Sequence, residues 1–359
     1  MTASLDEALD RLRGAGGEIA GGGMPNHGPM AAEALVALGR GDVVARWAER
    51  YRTVLGTMPE ASSAVTMASW RDALGAPLRF GDWAAFFRDQ VAKKTWRTVL
   101  ASWIGLLVPA MNSGGTHGLI RTAHALRALE DAETPLRIEE LAVALAFWAA
   151  YYRAFPTPAR LSGTLGFAEA LARVPRLMRG RDRRGFPRDL AHVAGSDPDL
   201  AIAVDRAAPP ESIERALGEI TEAGARLYLA NADRQPLVLL HIVTSAAALR
   251  LLLPHLSSDL RPVAFAGLWQ AAAANAAMFS DEPARDGDDQ GSFSEPEIID
   301  RSVETEDPHA IKFAEACLRE HRLRPRPVYL AAARDFAERA RRARGWSEAE
   351  RVAAGMEFP

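Results

Sequence analysis

Cysteine is nearly absent, with Cys317 standing alone among 359 residues. A single thiol excludes an internal disulfide and a thiolate metal cluster, and it fits a reducing compartment. Cys317 sits at helical spacing in AIKFAEACL and reads as a buried small apolar residue rather than a nucleophile. A positive surplus is also missing: the formal net charge is -3. Only RVPRLMRGRDRRGFPR at 173–188 gathers basic residues, and it reads as a solvated loop, so a nucleic-acid partner is not expected. The acidic N-terminus, MTASLDEALDRL, lacks the basic-then-apolar pattern of a secretory signal. Long hydrophobic runs are lacking too. Val99–Met111 and Leu141–Tyr152, taken as the longest strongly apolar stretches, are too short to cross a bilayer. These absences together predict a soluble cytoplasmic protein with no membrane partner. The glycines of GAGGEIAGGG at 14–23 have no preceding strand and no following Lys-Ser/Thr, so they are not read as a phosphate cradle but as a flexible approach to Asn26-His27.

What the chain has in plenty is Ala, Leu and Arg, while β-branched runs are scarce, so helix is favoured almost throughout. Asp42 is placed to cap a helix over Val43–Thr53, and Pro109–Gly115 to stop the helical region before it. Ser113 or Thr116 is placed to cap the helix that begins at His117. Pro236–Leu253 reads as one helix or a helix pair. With no repeat and no βαβ alternation, the expected fold is all-α: a large single helical domain around a central metal site. Residues 1–24 form an N-terminal helix and Gly-rich lead-in. Residues 25–325 form the catalytic domain, in which the acidic 281–297 is a mobile surface excursion, and 326–359 supply C-terminal helices packed on it.

Histidine placement suggests the chemistry. His27, His117, His241 and His309 each lie in an apolar or helix-forming segment, and His124 follows His117 by seven residues on the same helix face. For any one of them, a hydrogen-bonded core histidine is the simpler reading. As a group they point to a metal centre, for which imidazole suits iron, zinc, copper or nickel. His309 and Lys312 are an i,i+3 pair and point the same way. A lysine ammonium repels a cation and becomes a ligand only as a carbamate. His192 lies in an irregular stretch, His255 follows Pro254 at a helix end where a dipole contact suffices, and His321 is solvated beside Arg322, so these three are set aside.

Four motifs in order resemble the questin oxidase-like family of aromatic polyketide metabolism. They are Asn26-His27, Gly114-Gly115-Thr116-His117, His241-Ile242-Val243-Thr244 and Asp307-Pro308-His309-Ala310-Ile311-Lys312, spanning about residues 25–320. The resemblance implies a mononuclear non-haem Fe(II) oxygenase. Its ligands would be His27, His117, His241, His309 and a carboxylated Lys312, and its partners a polycyclic, anthraquinone-type aromatic and O2. Both monooxygenation and dioxygenation stay open, and an external reductant such as NADPH is compatible although no binding motif is seen. Where fungal members tend to carry further histidines, this chain has Arg121 and Met30. Arg121 and His124 are therefore expected to serve the substrate, as an anion contact and as an acid or base. Trp96, Trp103, Phe147, Trp148, Tyr151 and Trp269 could line a flat apolar pocket or simply fill the core. Two rival classes remain at this stage: a helical metal-dependent hydrolase, and a non-catalytic small-molecule-binding helical protein.

Overall fold

Helix formers and proline-started helices give an all-α architecture with one small sheet. The computed structural model describes residues 2–20, 25–178, 194–195, 197–284 and 294–344. The basic run beyond Met178, His192, most of the acidic excursion (285–293) and the helix expected at 347–354 lie outside the described residues. The contacts group into two compact units. The first comprises Met1–Ala154 with Leu251–Ala264, and the second Phe155–Arg250 with Phe265–Pro359.

In the first unit the helices are α1 (Thr2–Leu12), α2 (Gly28–Ala37), α3 (Gly41–Arg52), α4 (Trp70–Ala73), α5 (Phe80–Lys93), α6 (Trp96–Leu107), α7 (His117–Asp131) and α8 (Pro135–Ala150). Helix α1 packs on α2 and α3, α2 on α7, α7 on α8, and α8 on α5. Aromatic rings of Trp70, Trp83, Phe86, Phe87 and Trp103 interlock edge-to-face and stacked, with several centroids 5.2–5.7 Å apart. The glycine-rich lead-in departs from expectation. Ala15–Ile19 forms β1, paired antiparallel with β2 (Leu55–Thr57), and Asn26 Nδ2 donates to the Gly16 carbonyl at 2.9 Å. Asp42 does not cap α3 either: the cap position is Arg40, and Asp42 lies in the first turn.

Helix α7 approaches α8 closely because Gly118 has no side chain. A Cβ there would lie 2.8 Å from the Trp148 ring and 3.2 Å from its Cα. Gly118→Ala should therefore overpack this contact and destabilise the protein by about 1–3 kcal/mol, read as a lowered Tm by calorimetry. An unchanged Tm would contradict the close approach.

In the second unit the helices are α9 (Phe167–Ala172), α10 (Pro198–Asp205), α11 (Ile213–Asn231), α12 (Pro236–Leu252, one continuous helix, up to Arg250), α13 (Leu260–Phe279, from Phe265), α14 (Glu295–Glu304), α15 (Pro308–Leu323) and α16 (Pro327–Ala343). Helix α16 packs on α15, α14 and α11. Two aromatic groups, Phe167–Phe265–Trp269 and Tyr228–Phe313–Phe336, fill the core. The start of the acidic excursion is anchored, since the Asp281 and Glu282 amides donate to Asn231 Oδ1 at 2.8 and 2.9 Å. Ser294, at its far end, caps α14.

One apolar run is longer than the sequence reading allowed. Pro236–His255 is, by length and composition, able to cross a membrane, yet its most apolar stretch is 89% buried inside the protein, as in a core helix. The aromatics weighed as pocket walls have core partners. Trp148 Nε1 donates to the Ala110 carbonyl, Trp269 Nε1 donates to the Val204 carbonyl, and Phe147 stacks on Tyr151.

Candidate metal centre

His27 precedes α2 and His117 opens α7, and the packing of these two helices brings the rings together. Their Nε2 atoms lie 2.9 Å apart, with ring planes 75° to one another. Asn26 fixes the approach to His27: its backbone amide donates to the Gly17 carbonyl and its Oδ1 accepts from the Gly28 amide at 2.8 Å. The His27 amide donates to the Tyr51 hydroxyl at 3.2 Å. Ahead of His117, Gly114, Gly115 and Thr116 all adopt positive φ, which turns the Gly114 carbonyl back toward the imidazole. Thr116 occupies the cap position, but its hydroxyl makes no capping bond, and Ser113 donates to the Ala110 carbonyl instead. His117 Nδ1 lies 2.7 Å from the Gly114 carbonyl oxygen. A carbonyl only accepts, so Nδ1 carries the proton and Nε2 presents its lone pair.

The second unit repeats this device. His241 Nδ1 lies 2.9 Å from the Leu237 carbonyl oxygen one turn back along α12, which again leaves Nε2 as the lone-pair nitrogen. The His309 ring faces it edge-on with centroids 5.9 Å apart. Asp307 caps α15 by accepting the amides of His309 and Ala310 at 2.8 and 2.9 Å, and Pro308 occupies the first turn. Lys312 follows one turn later, 2% exposed, with no hydrogen bond or ion pair among the described residues. Burial lowers its pKa to about 7 against the opposing pull of Asp307. Burial, together with Lys312, lowers the His241 pKa to about 3, so this imidazole is neutral at physiological pH.

These are the properties of ligand histidines. Two imidazole nitrogens bound cis at about 2.1 Å from one ion stand about 3.0 Å apart, close to the separation in the His27–His117 pair. Thr244, one turn along α12 from His241, buries a hydroxyl that has no partner among the described residues. Such a group costs about 1–3 kcal/mol, which a polar ligand bound there would offset. All four histidines are buried, two in each unit, and they are residues that could hold a metal ion.

Arg121 and His124, expected to serve the substrate, both engage carboxylates within the first unit. Arg121 Nε and Nη2 donate to Glu140 at 2.6 and 2.9 Å, and its Nη1 has no partner among the described residues. His124 Nδ1 lies 2.6 Å from Glu33 Oε2, and Arg127 donates to both oxygens of the same carboxylate at 2.7 and 2.5 Å. Burial alone would raise the Glu33 carboxyl, but Arg127 and His124 outweigh it and hold it below the usual range. A small cavity between these groups is lined by Pro29, Met30, Glu33, Arg121, His124 and Arg137, among others. Sequence reasoning missed Glu33, Arg127 and Glu140 as partners of these two side chains. The spacing of His124 from His117, nearly matching that of Glu33 from His27, was the available signal. His255, set aside earlier, has its Nε2 3.0 Å from a Glu130 carboxylate oxygen.

Fold and site together define a helical protein with buried histidine pairs suited to a metal ion. The chain belongs to the questin oxidase-like family, whose model matches residues 26–317 and so includes all four histidines and Lys312. That membership implies an oxidoreductase. No curated protein matches the chain.

Proposed function

We propose that this protein is a non-haem iron oxygenase of polycyclic aromatic compounds, in which His27, His117, His241 and His309 hold one ion and a carboxylated Lys312 completes the set. The observation that carries the reading is the preset lone pair. His117 and His241, in different helices, each have Nδ1 tied to a backbone carbonyl and Nε2 left to ligate. Bound iron would supply the one-electron chemistry that dioxygen needs. Lys312 suits a carbamate because a buried amine with a pKa near 7 is substantially neutral at working pH. Its nitrogen can attack carbon dioxide and release one proton, and the anionic product then lies beside the neutral His241 imidazole. Arg121 keeps Nη1 for an anionic oxygen of the substrate, such as a phenolate. The carboxylates that a hydrolase would recruit are otherwise engaged, Glu33 by Arg127 and His124 and Asp307 by helix capping.

The test is oxygen consumption by protein reconstituted with Fe(II) and bicarbonate, assayed with hydroxyanthraquinones, with and without an added reductant such as NADPH. Substrate-dependent oxygen uptake that needs iron is the expected result, with Arg121→Gln raising KM while leaving iron content unchanged. Iron-loaded protein that consumes no oxygen with any such phenol, or a zinc-loaded protein that hydrolyses esters instead, would refute the reading.

A further inference from the structure

Helices α2 and α7 meet at two places. At their N-terminal ends the His27 and His117 Nε2 atoms are 2.9 Å apart. Farther along, Glu33 of α2 is held by His124 and Arg127 of α7 through contacts of 2.5–2.7 Å. Glu33 lies six residues beyond His27, and His124 seven beyond His117. At 1.5 Å rise per residue these steps are about 9 and about 10.5 Å, so the helices run parallel and nearly in register. The Glu33 side chain is 9% exposed and that of His124 7%, so water competes little for these bonds. Two contacts along one helix pair fix sliding and rotation together, which a single contact cannot do. We infer that the Glu33–His124–Arg127 clasp is a positioning device that sets the His27–His117 nitrogen spacing, making Glu33 and His124 positioning residues for the metal site. His124 is thereby assigned to the frame, because its Nδ1 is committed to Glu33.

This inference rests on the metal reading for its purpose, but its geometry can be tested without metal. In the metal-free protein, long-range 1H–15N spectra of the imidazoles should show His27 Nε2–H donating to His117 Nε2, and Glu33→Ala should abolish that signature. In the full-length protein titrated with Co(II), Glu33→Ala should raise Kd roughly 10–100-fold and alter the visible d–d bands. Glu33→Gln, which keeps an acceptor oxygen for Arg127, should retain most of the parental spectrum. Tyr228→Phe, which loses a hydrogen bond to Asp335 in the other unit, lowers stability elsewhere and should leave the bands unchanged. If Glu33→Ala does not fold, His124→Gln provides the same readouts. A folded Glu33→Ala or His124→Gln protein with the parental Kd, bands and imidazole signature would overturn the clasp while leaving the metal reading intact. Loss of the imidazole signature in a protein whose parent binds no Co(II) would support the clasp and sink the metal reading.

Discussion

Replacing His117 or His241 by alanine should strip the protein of the proposed metal while leaving a folded, helical chain. Each ring supplies an Nε2 lone pair whose direction is fixed by a hydrogen bond from Nδ1 to a backbone carbonyl, Gly114 or Leu237. Losing an outer-shell partner of a metal ligand costs roughly 10–100-fold in affinity, and losing the ligand itself should exceed that. Metal per chain after gel filtration, measured by elemental mass spectrometry, should fall to near background in both variants. His255→Ala is the control, because His255 lies beside Glu130 in the first unit and is no part of the proposed ligand set. Far-UV circular dichroism separates metal loss from unfolding. Stoichiometric metal in both His117→Ala and His241→Ala would sink the ligand assignment.

The helical class was legible because intrinsic propensity and tertiary packing agree along most of this chain. Pro29, Pro135, Pro308 and Pro327 open helices, and Asp307 and Thr134 cap them through side-chain bonds. Where local signals failed, a distant contact decides. Ala15–Ile19 is glycine-rich and has little strand propensity of its own. It becomes a strand through pairing with Leu55–Thr57 and the side chain of Asn26. Thr116 looked like a helix cap by residue type, but its positive φ excludes the usual cap geometry. The histidines could be singled out because each stands in an apolar or helical segment. The Glu33 clasp was hidden, since its partners lie 91 and 94 residues away and an isolated Glu on a helix reads as a solvated face. The Arg121–Glu140 pair joins adjacent helices over 19 residues, a spacing with no local periodicity to mark it.

Lys312→Met should stabilise the metal-free protein and abolish its ability to hold metal. The ammonium of Lys312 is disfavoured by burial, against the opposing pull of Asp307 and with the His241 imidazole alongside, so its folded pKa is about 7 against an ordinary 10.5. The unfolded chain therefore binds this proton more tightly than the folded one. The resulting penalty is fully present below about pH 7 and shrinks as pH rises toward 10.5. At about 1.4 kcal/mol per pKa unit it is on the order of a few kcal/mol at neutral pH. In buffers free of carbon dioxide, the Tm advantage of Lys312→Met should be largest at pH 7 and below and decline through alkaline pH. His241 adds a separate acid limb to the parent, and a weaker one to Lys312→Met, because the lysine charge is part of what lowers this imidazole. Its pKa near 3 lies below the usual 6.5, so stability falls as pH drops from 6.5 toward 3. Bicarbonate, by converting the amine to a carbamate, should assist iron uptake by the parent and do nothing for the variant. A Tm difference independent of pH between 7 and 10, with equal iron uptake by both proteins, would show that Lys312 is neither a buried titrating amine nor a ligand.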